Sequence, residues 1–331
     1  MHIPDNYLSP STCAVLGASM LPVWTVSVKK VKAEISKEKI PLLGIGAAFS
    51  FLGMMFNIPL PGGTTGHAVG GTLIAILCGP YAACVSVTIA LLVQALLFGD
   101  GGILAFGANC FNMAFVLPFV GYAVYQVLKT YGKGKHVEQI AAGIGAYIGI
   151  NAAAFCAAIE FGIQPMLFQD AAGQALYCPY SLRISLPVMM LGHLTVFGAA
   201  EVIFTVAVLA FMRKAVPDTV YENAKKMPKA VYLFLGILIL CTPLGLLAAG
   251  TAWGEWGTDE IAEVVSCGKA LGYTPKGMTD GFTFSALFPD YTMAGMPEWF
   301  AYILSAVVGV AIVVIFFKLL SSMKKSKVDY D

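Results

Sequence analysis

The chain carries a series of apolar stretches matched in length to a lipid bilayer, and no other property restricts its fold so strongly. They run at about 10–28, 40–57, 81–98, 103–128, 137–161, 185–212, 229–250 and 299–317, with a shorter one at about 67–79. A helix needs about 20 apolar residues to cross the hydrocarbon core. Composition agrees: 58% of the 331 residues are hydrophobic and 12% charged, against roughly 25% charged in soluble domains. The expected fold is an all-α integral membrane protein, a polytopic bundle of about nine transmembrane helices. A net charge of +1 provides no field that would draw the chain to nucleic acid.

Basic residues decide whether 67–79 spans. Seventeen of the 20 fall in four clusters: Lys29, Lys30, Lys32, Lys37 and Lys39; Lys129, Lys133 and Lys135; Arg213, Lys214, Lys225, Lys226 and Lys229; Lys318, Lys324, Lys325 and Lys327. Basic loops stay cytoplasmic, and counting 67–79 as a span puts all four inside. Nine spans follow, with the N-terminus outside, the C-terminus in the cytoplasm, and a multi-pass location in the cell membrane. The polar connector Arg213 to Lys229 separates a seven-helix body, residues 1–215, from a two-helix tail, residues 216–331. Between the tail's helices lies a long outside loop, 251–298, bearing Glu255, Asp259, Glu260, Glu263, Asp280, Asp290 and Glu298. Loops of that length fold or contact a partner; this one reads chiefly as a solvated acidic surface, or as a means of concentrating cations at the outer mouth. The eight cysteines show no C-x-x-C pairing, so neither a zinc site nor a disulfide framework is expected. Only Cys178 and Cys267 lie in polar connections where a bridge is conceivable.

The amino terminus is the most informative segment. No cleavable signal precedes M-H-I-P-D-N-Y-L-S-P, and a large second residue, His2, protects the initiator Met, so the mature chain is expected to start at Met1. Its amine and the His2 backbone nitrogen then close a five-membered ring on a metal, and that nitrogen with His2 Nδ1 closes a six-membered one. Binding through an amide nitrogen requires loss of its proton, which Cu(II) and Ni(II) promote best, and both favour tetragonal nitrogen geometry. One in-plane position stays open. Of the other histidines, His67, His136 and His193, His136 lies inside, whereas His67 closes the outside connection I-P-L-P-G-G-T-T-G-H. His67 is the candidate fourth ligand, although an ordinary Pro/Gly turn with an exposed histidine fits the same residues.

Polar residues within spans must face the protein interior. Asn109 and Asn112, three apart on one helical face after the outside turn G-D-G-G, are candidates to support the ligands, or are glue between helices. His193 is a supporting donor near the site, a transient ligand, or a hydrogen-bonded packing histidine, and Glu160 and Glu201 either face the interior with the other polar residues or sit near the interfaces. Ala14 and Ala18, with Gly17 beside them, form a small-residue pair that permits close approach of a partner helix.

Four blocks resemble a known family: the opening M-H-I-P-D-N-Y-L-S-P, P-L-P-G-G-T-T-G-H-A-V-G-G-T-L, L-L-V-Q-A-L-L-F-G-D-G-G-I-L-A-F-G-A-N-C-F-N-M-A and G-T-A-W-G-E-W-G. They look like the substrate-binding (S) component of nickel/cobalt energy-coupling factor (ECF) transporters, the CbiM/NikM family, with a fused NikN-type tail. The resemblance implies metal ligation by the Met1 amine, the His2 amide and imidazole, and His67. It also implies ATP-dependent uptake of nickel, or cobalt in the other branch, with an ECF membrane coupling protein and cytoplasmic ATPase subunits as partners and no organic cofactor. Asn6 stands where the usual opening has Gly, an exchange that asparagine tolerates because it enters left-handed backbone. The chain has no G-x-x-x-x-G-K-[ST] phosphate loop, so it does not hydrolyse ATP alone. Two rivals from other classes are a membrane metalloenzyme, disfavoured because four in-plane nitrogens leave no site for substrate and no general base is evident in the outside loops, and a metal-gated channel.

Overall fold

The computed structural model describes residues 1–60, 64–215, 228–248, 250–266 and 268–323. Pro61, Gly62 and Gly63 of the outside turn, the connector 216–227 with Lys225 and Lys226, Cys267, and Lys324, Lys325 and Lys327 lie outside the described residues. Among the described residues, helices follow in the order α1 (Pro10–Glu34), α2 (Ile40–Met55), α3 (Gly71–Cys78), α4 (Pro80–Phe98), α5 (Phe106–Tyr131), α6 (Val137–Leu167), α7 (Leu182–Ala215), α8 (Lys229–Leu247) and α9 (Glu298–Met323). Seven of these are long and apolar enough to cross a membrane. Two expected spans differ: α2 has 16 residues and α3 only eight.

The short third helix has a physical cause. After α2 the chain forms a hairpin, β1 (Ile58–Leu60) antiparallel to β2 (Thr64–Gly66), and then runs on as buried non-helical backbone to Gly70. Eight residues of helix cover only about 12 Å, so the extended segment supplies the rest of the path. Such backbone is tolerated at membrane depth only when protein surrounds it, and every residue from Thr65 to Ala75 is buried. Glu201 on α7 makes this workable. Its carboxylate accepts hydrogen bonds from Val69 N at 2.7 Å and Gly70 N at 3.0 Å, partnering amides at the start of α3. Glu201 faces the protein interior: it is fully buried and caps a helix.

Helix α2 lies at the centre, buried from Leu42 to Met55. On one side α5 and α6 cross closely through Gly121, Gly145 and Gly149, where an added Cβ on Gly121 would stand 2.9 Å from the Gly145 carbonyl. On the other side the tail packs directly on the body. Tyr302 of α9 donates to Met55 O at 2.8 Å, Gly309 admits the Phe51 ring, and the Phe211 and Phe234 rings meet at 4.4 Å between α7 and α8. Large apolar side chains face outward on several helices, among them Val15, Leu21, Ile203, Leu233 and Leu319, as a lipid-facing surface requires. Ala14 and Ala18 are on the exposed face of α1, while Gly17 turns inward against Gly107.

Candidate metal centre

The amino-terminal segment is threaded into one end of the bundle and pinned at nearly every residue. Ile3 N donates to Asn109 Oδ1 at 2.8 Å and Asn109 Nδ2 returns a bond to Ile3 O at 3.0 Å. The Asp5 carboxylate accepts from Ile103 N at 3.0 Å and Leu104 N at 2.7 Å. Asn6 takes the left-handed conformation, φ 67°, and pairs with the Phe282 backbone in both directions. Tyr7 Oη donates to Trp256 O at 2.9 Å. Ser9 then caps α1 by accepting from Thr12 N at 3.1 Å.

These restraints bring His2 to His67. The ring nitrogens His2 Nδ1 and His67 Nε2 are 3.2 Å apart, and both residues are buried. His67 Nδ1 lies 3.2 Å from Ala68 O; a proton there donates to the carbonyl and leaves Nε2 as a free electron pair aimed at His2. The exposed-turn reading of His67 is therefore corrected. Burial drives the His2 imidazole toward neutrality, down to about 3, with the amino-terminal charge acting in the same direction. Neutral imidazole is the metal-binding form. Among the described residues no group of three or more His, Cys, Asp or Glu side chains is arranged to hold a metal ion, so a site here needs donors from the backbone or the terminus.

Around the two rings is a largely polar cavity of about 540 Å³. Asp100, at the tip of the G-D-G-G turn, sets Oδ1 3.0 Å from His2 Nδ1. Its other oxygen accepts from Tyr291 Oη at 2.5 Å and Gln94 Nε2 at 3.1 Å. Gly99 and Gly101, with φ of 70° and 86°, allow the backbone reversal that aims Asp100 inward. Glu255 is 3.5 Å from the Met1 nitrogen, and its carboxyl is pushed up to about 7, chiefly by burial. Burial also raises Asp100 above the usual carboxylate range.

The other candidates divide. Asn109 meets the backbone immediately after His2, as above. Asn112 donates to Glu160 Oε2 at 2.8 Å across the α5–α6 contact, the second of its two readings, glue between helices. Glu160 is accordingly interior rather than interfacial. His193 opens a π-helical stretch of α7 with Nδ1 2.8 Å from Met189 O, and shares with Met1 a small gap beside the His2 cavity. The acidic loop is not simply solvated surface. Asp259, Glu260 and Asp280 are exposed away from the cavity, whereas the half-buried Glu255 and the exposed Asp290 and Glu298 line it. Sequence reasoning missed Asp100, Glu255 and Tyr291, and the expectation that the outside loops place no candidate base near the site is overturned. The two glycines flanking Asp100 were the available signal, since an acidic residue between residues free to take positive φ is presented by its turn.

Comparisons with known proteins identify the family. Residues 2–219 match the family described as CbiM, cobalt uptake substrate-specific transmembrane region, and residues 228–326 match the PDGLE domain. A probable fused nickel transport protein, LarMN, of Lactiplantibacillus plantarum is 52% identical, covering 94% of this chain and 95% of its own. A fused nickel transport protein, NikMN, of Rhodobacter capsulatus is 47% identical, with 95% of each chain covered. A crystal structure of a transition metal transporter superposes with a TM-score of 0.63 at 51% identity, covering 68% of this chain and 98% of that one.

Proposed function

The chain belongs to the CbiM family, and on that premise we propose that it is the substrate-binding component of an ECF-type uptake system for Ni(II), holding the ion in a planar all-nitrogen site at the outer face. A metal-transport component, rather than an enzyme, is what the family is. Its ligands are the Met1 amine, the His2 amide nitrogen, His2 Nδ1 and His67 Nε2. One observation carries the reading: two buried ring nitrogens from residues 65 apart in sequence stand 3.2 Å from each other. Nitrogens on adjacent corners of a plane, each about 2.0 Å from one ion, are separated by about 2.8 Å, so a small closure completes the corner.

Orphaned atoms support the same tautomer. His2 Nε2 and Gln94 Oε1 are buried without a hydrogen-bond partner, and the Gln94 side chain stands against the His2 ring. Once an ion occupies Nδ1, the ring proton resides on Nε2, where Gln94 Oε1 accepts it. The amidate and one carboxylate, Asp100, balance the charge of a divalent ion.

Residues 1–215 act as the metal-binding unit and 216–331 as a NikN-like tail. The basic clusters set the N-terminus outside and the C-terminus in the cytoplasm, and a separate membrane coupling protein with cytoplasmic ATPases supplies the energy. The exposed Ala14 and Ala18 on α1 offer that partner a surface for close helix packing. Cobalt is the second reading, because other relatives carry cobalt transport names, but the planar geometry favours Ni(II). The test is an uncleaved one-residue extension before Met1. It displaces the amine by up to about 3.8 Å, and bound nickel per chain is expected to fall to background. Unchanged stoichiometry and affinity would remove the amine from the ligand set. A diamagnetic nickel spectrum is expected of the native protein; a paramagnetic six-coordinate one refutes the square plane.

A further inference from the structure

The tail touches the metal centre through a hydrogen-bonded link that a membrane anchor has no use for. Tyr291 sits in the outside loop between α8 and α9, 191 residues beyond Asp100 in sequence, yet its hydroxyl donates to Asp100 Oδ2 at 2.5 Å and accepts from Gln94 Nε2 at 3.0 Å. Gln94 Nε2 also donates to Asp100 Oδ2 at 3.1 Å. The three groups close a triangle. Each of its two body members then presents its remaining oxygen to His2: Asp100 Oδ1 is 3.0 Å from Nδ1, and Gln94 holds its unpartnered Oε1 on the His2 side.

The backbone shows that this placement is held. Asp290 and Tyr291 are consecutive non-glycine residues in the left-handed region, with φ of 51° and 60°. That conformation is uncommon for a bulky side chain and persists where the surroundings over-determine it. Here the Tyr291 ring stacks on Phe98 at 4.7 Å and 20° and meets Tyr302 at 5.3 Å. Its carbonyl accepts from Ser305 Oγ of α9 at 3.1 Å, and Phe288 N donates to Leu97 O at 2.7 Å. A strained turn clamped on four sides delivers one hydroxyl to one carboxylate.

We propose that Tyr291 is a positioning residue of the metal centre, fixing through Asp100 and Gln94 the orientation of the His2 ring, so that the tail completes the site of the body. The inference rests on the ligand assignment above and adds to it a role for the tail. Groups that orient a ligating histidine typically contribute 10–100-fold to metal affinity.

The experiment uses the full-length protein and Ni(II) alone, reading affinity by titration and geometry from the ligand-field absorption. Y291F keeps the ring stack and removes only the hydroxyl. It is expected to weaken binding by about 10-fold or more and to shift the absorption band. D100N is expected to weaken binding at least as much, and D100N/Y291F by clearly less than the product of the two losses, because Tyr291 acts in large part through Asp100. If Y291F does not accumulate as folded protein, S305A carries the test by freeing the Tyr291 carbonyl away from the cavity, with a loss of affinity that shrinks in the D100N background. Wild-type affinity and spectrum in Y291F, or full additivity with D100N, overturns the proposal while leaving the ligand assignment standing. Failure of the wild-type chain to bind nickel, or wild-type binding by H67A, overturns the ligand assignment and this inference with it.

Discussion

Replacing Asn109 by alanine separates a supporting role at the metal centre from simple packing, because Asn112 offers a matched control one turn away. The Asn109 amide makes both side-chain bonds to Ile3, at 2.8 and 3.0 Å, and Ile3 is fully buried. In N109A the Ile3 carbonyl keeps its bond from Gly102 N at 2.9 Å, but the Ile3 N–H loses its partner. An unsatisfied buried donor costs about 1–3 kcal/mol. The loaded chelate requires residues 1–3 in place, whereas the empty segment can relax, so this cost falls on binding. At about 1.4 kcal/mol per tenfold, nickel affinity should drop roughly 5- to 150-fold. N112A instead unpairs Glu160; it should lower thermal stability and leave affinity within about twofold. Metal titration of detergent-solubilised protein, paired with thermal unfolding of the ion-free form, measures both quantities. Wild-type affinity in N109A, or equal weakening in N112A, refutes the assignment of the two asparagines.

Acidification should weaken nickel binding, since an amine and an amide must each surrender a proton, by up to about a hundredfold per pH unit for two protons. Because burial holds His2 at about 3, that ring is already neutral above about pH 5. The fall should therefore show no step near the ordinary histidine value of about 6.5, and a sharp transition there in a pH series of titrations contradicts the buried-imidazole site. E201A leaves Val69 N and Gly70 N without their acceptor and should lose about 3–6 kcal/mol, taking roughly 1.5–3 per bond to a charged group. An unfolding midpoint equal to wild type sinks that account of α3. In a cysteine-free background, S36C and G134C should resist a membrane-impermeant thiol reagent in intact cells while T279C reacts; labelling of S36C or G134C from outside overturns the topology.

How much the sequence disclosed follows from the range over which each property acts. Hydropathy is local, so long spans such as α6 and α9 are legible, whereas α3 is not: the apolar run at 67–79 cannot reveal that its first residues are extended and held by a carboxylate 131 residues away. Chelation is local too. The Met1 amine, the His2 amide and the His2 imidazole belong to two consecutive residues, and ring size alone marks them as candidate ligands. The left-handed turn at Asn6 is legible for the same reason, from one residue's conformational preference. Asp100, Gln94, Tyr291 and Glu255 are different. Their roles arise where the body and the tail loop meet, over separations up to 254 residues, and composition records them only as ordinary polar residues of a loop or a span.

That difference bears on what the fused tail adds to the body. The crystal structure of the transition metal transporter matches 98% of its own chain to 68% of this one, so about a third of this chain has no counterpart in that chain. In this chain the tail nevertheless places Glu255 beside the Met1 nitrogen and Tyr291 on Asp100, and its two helices pack along α2 and α7 so that both contacts are held in register with the bundle. Helix packing in a membrane gains little from hydrophobic transfer and depends on close fit, as at Gly309 against Phe51. A shift of α9 along α2 would therefore be felt at Tyr291, through Ser305, before it reached the metal ligands. If Tyr291 positions the site as proposed, the placement of α9 is coupled to the orientation of the His2 ring, a coupling that a body without the tail has to achieve by other contacts.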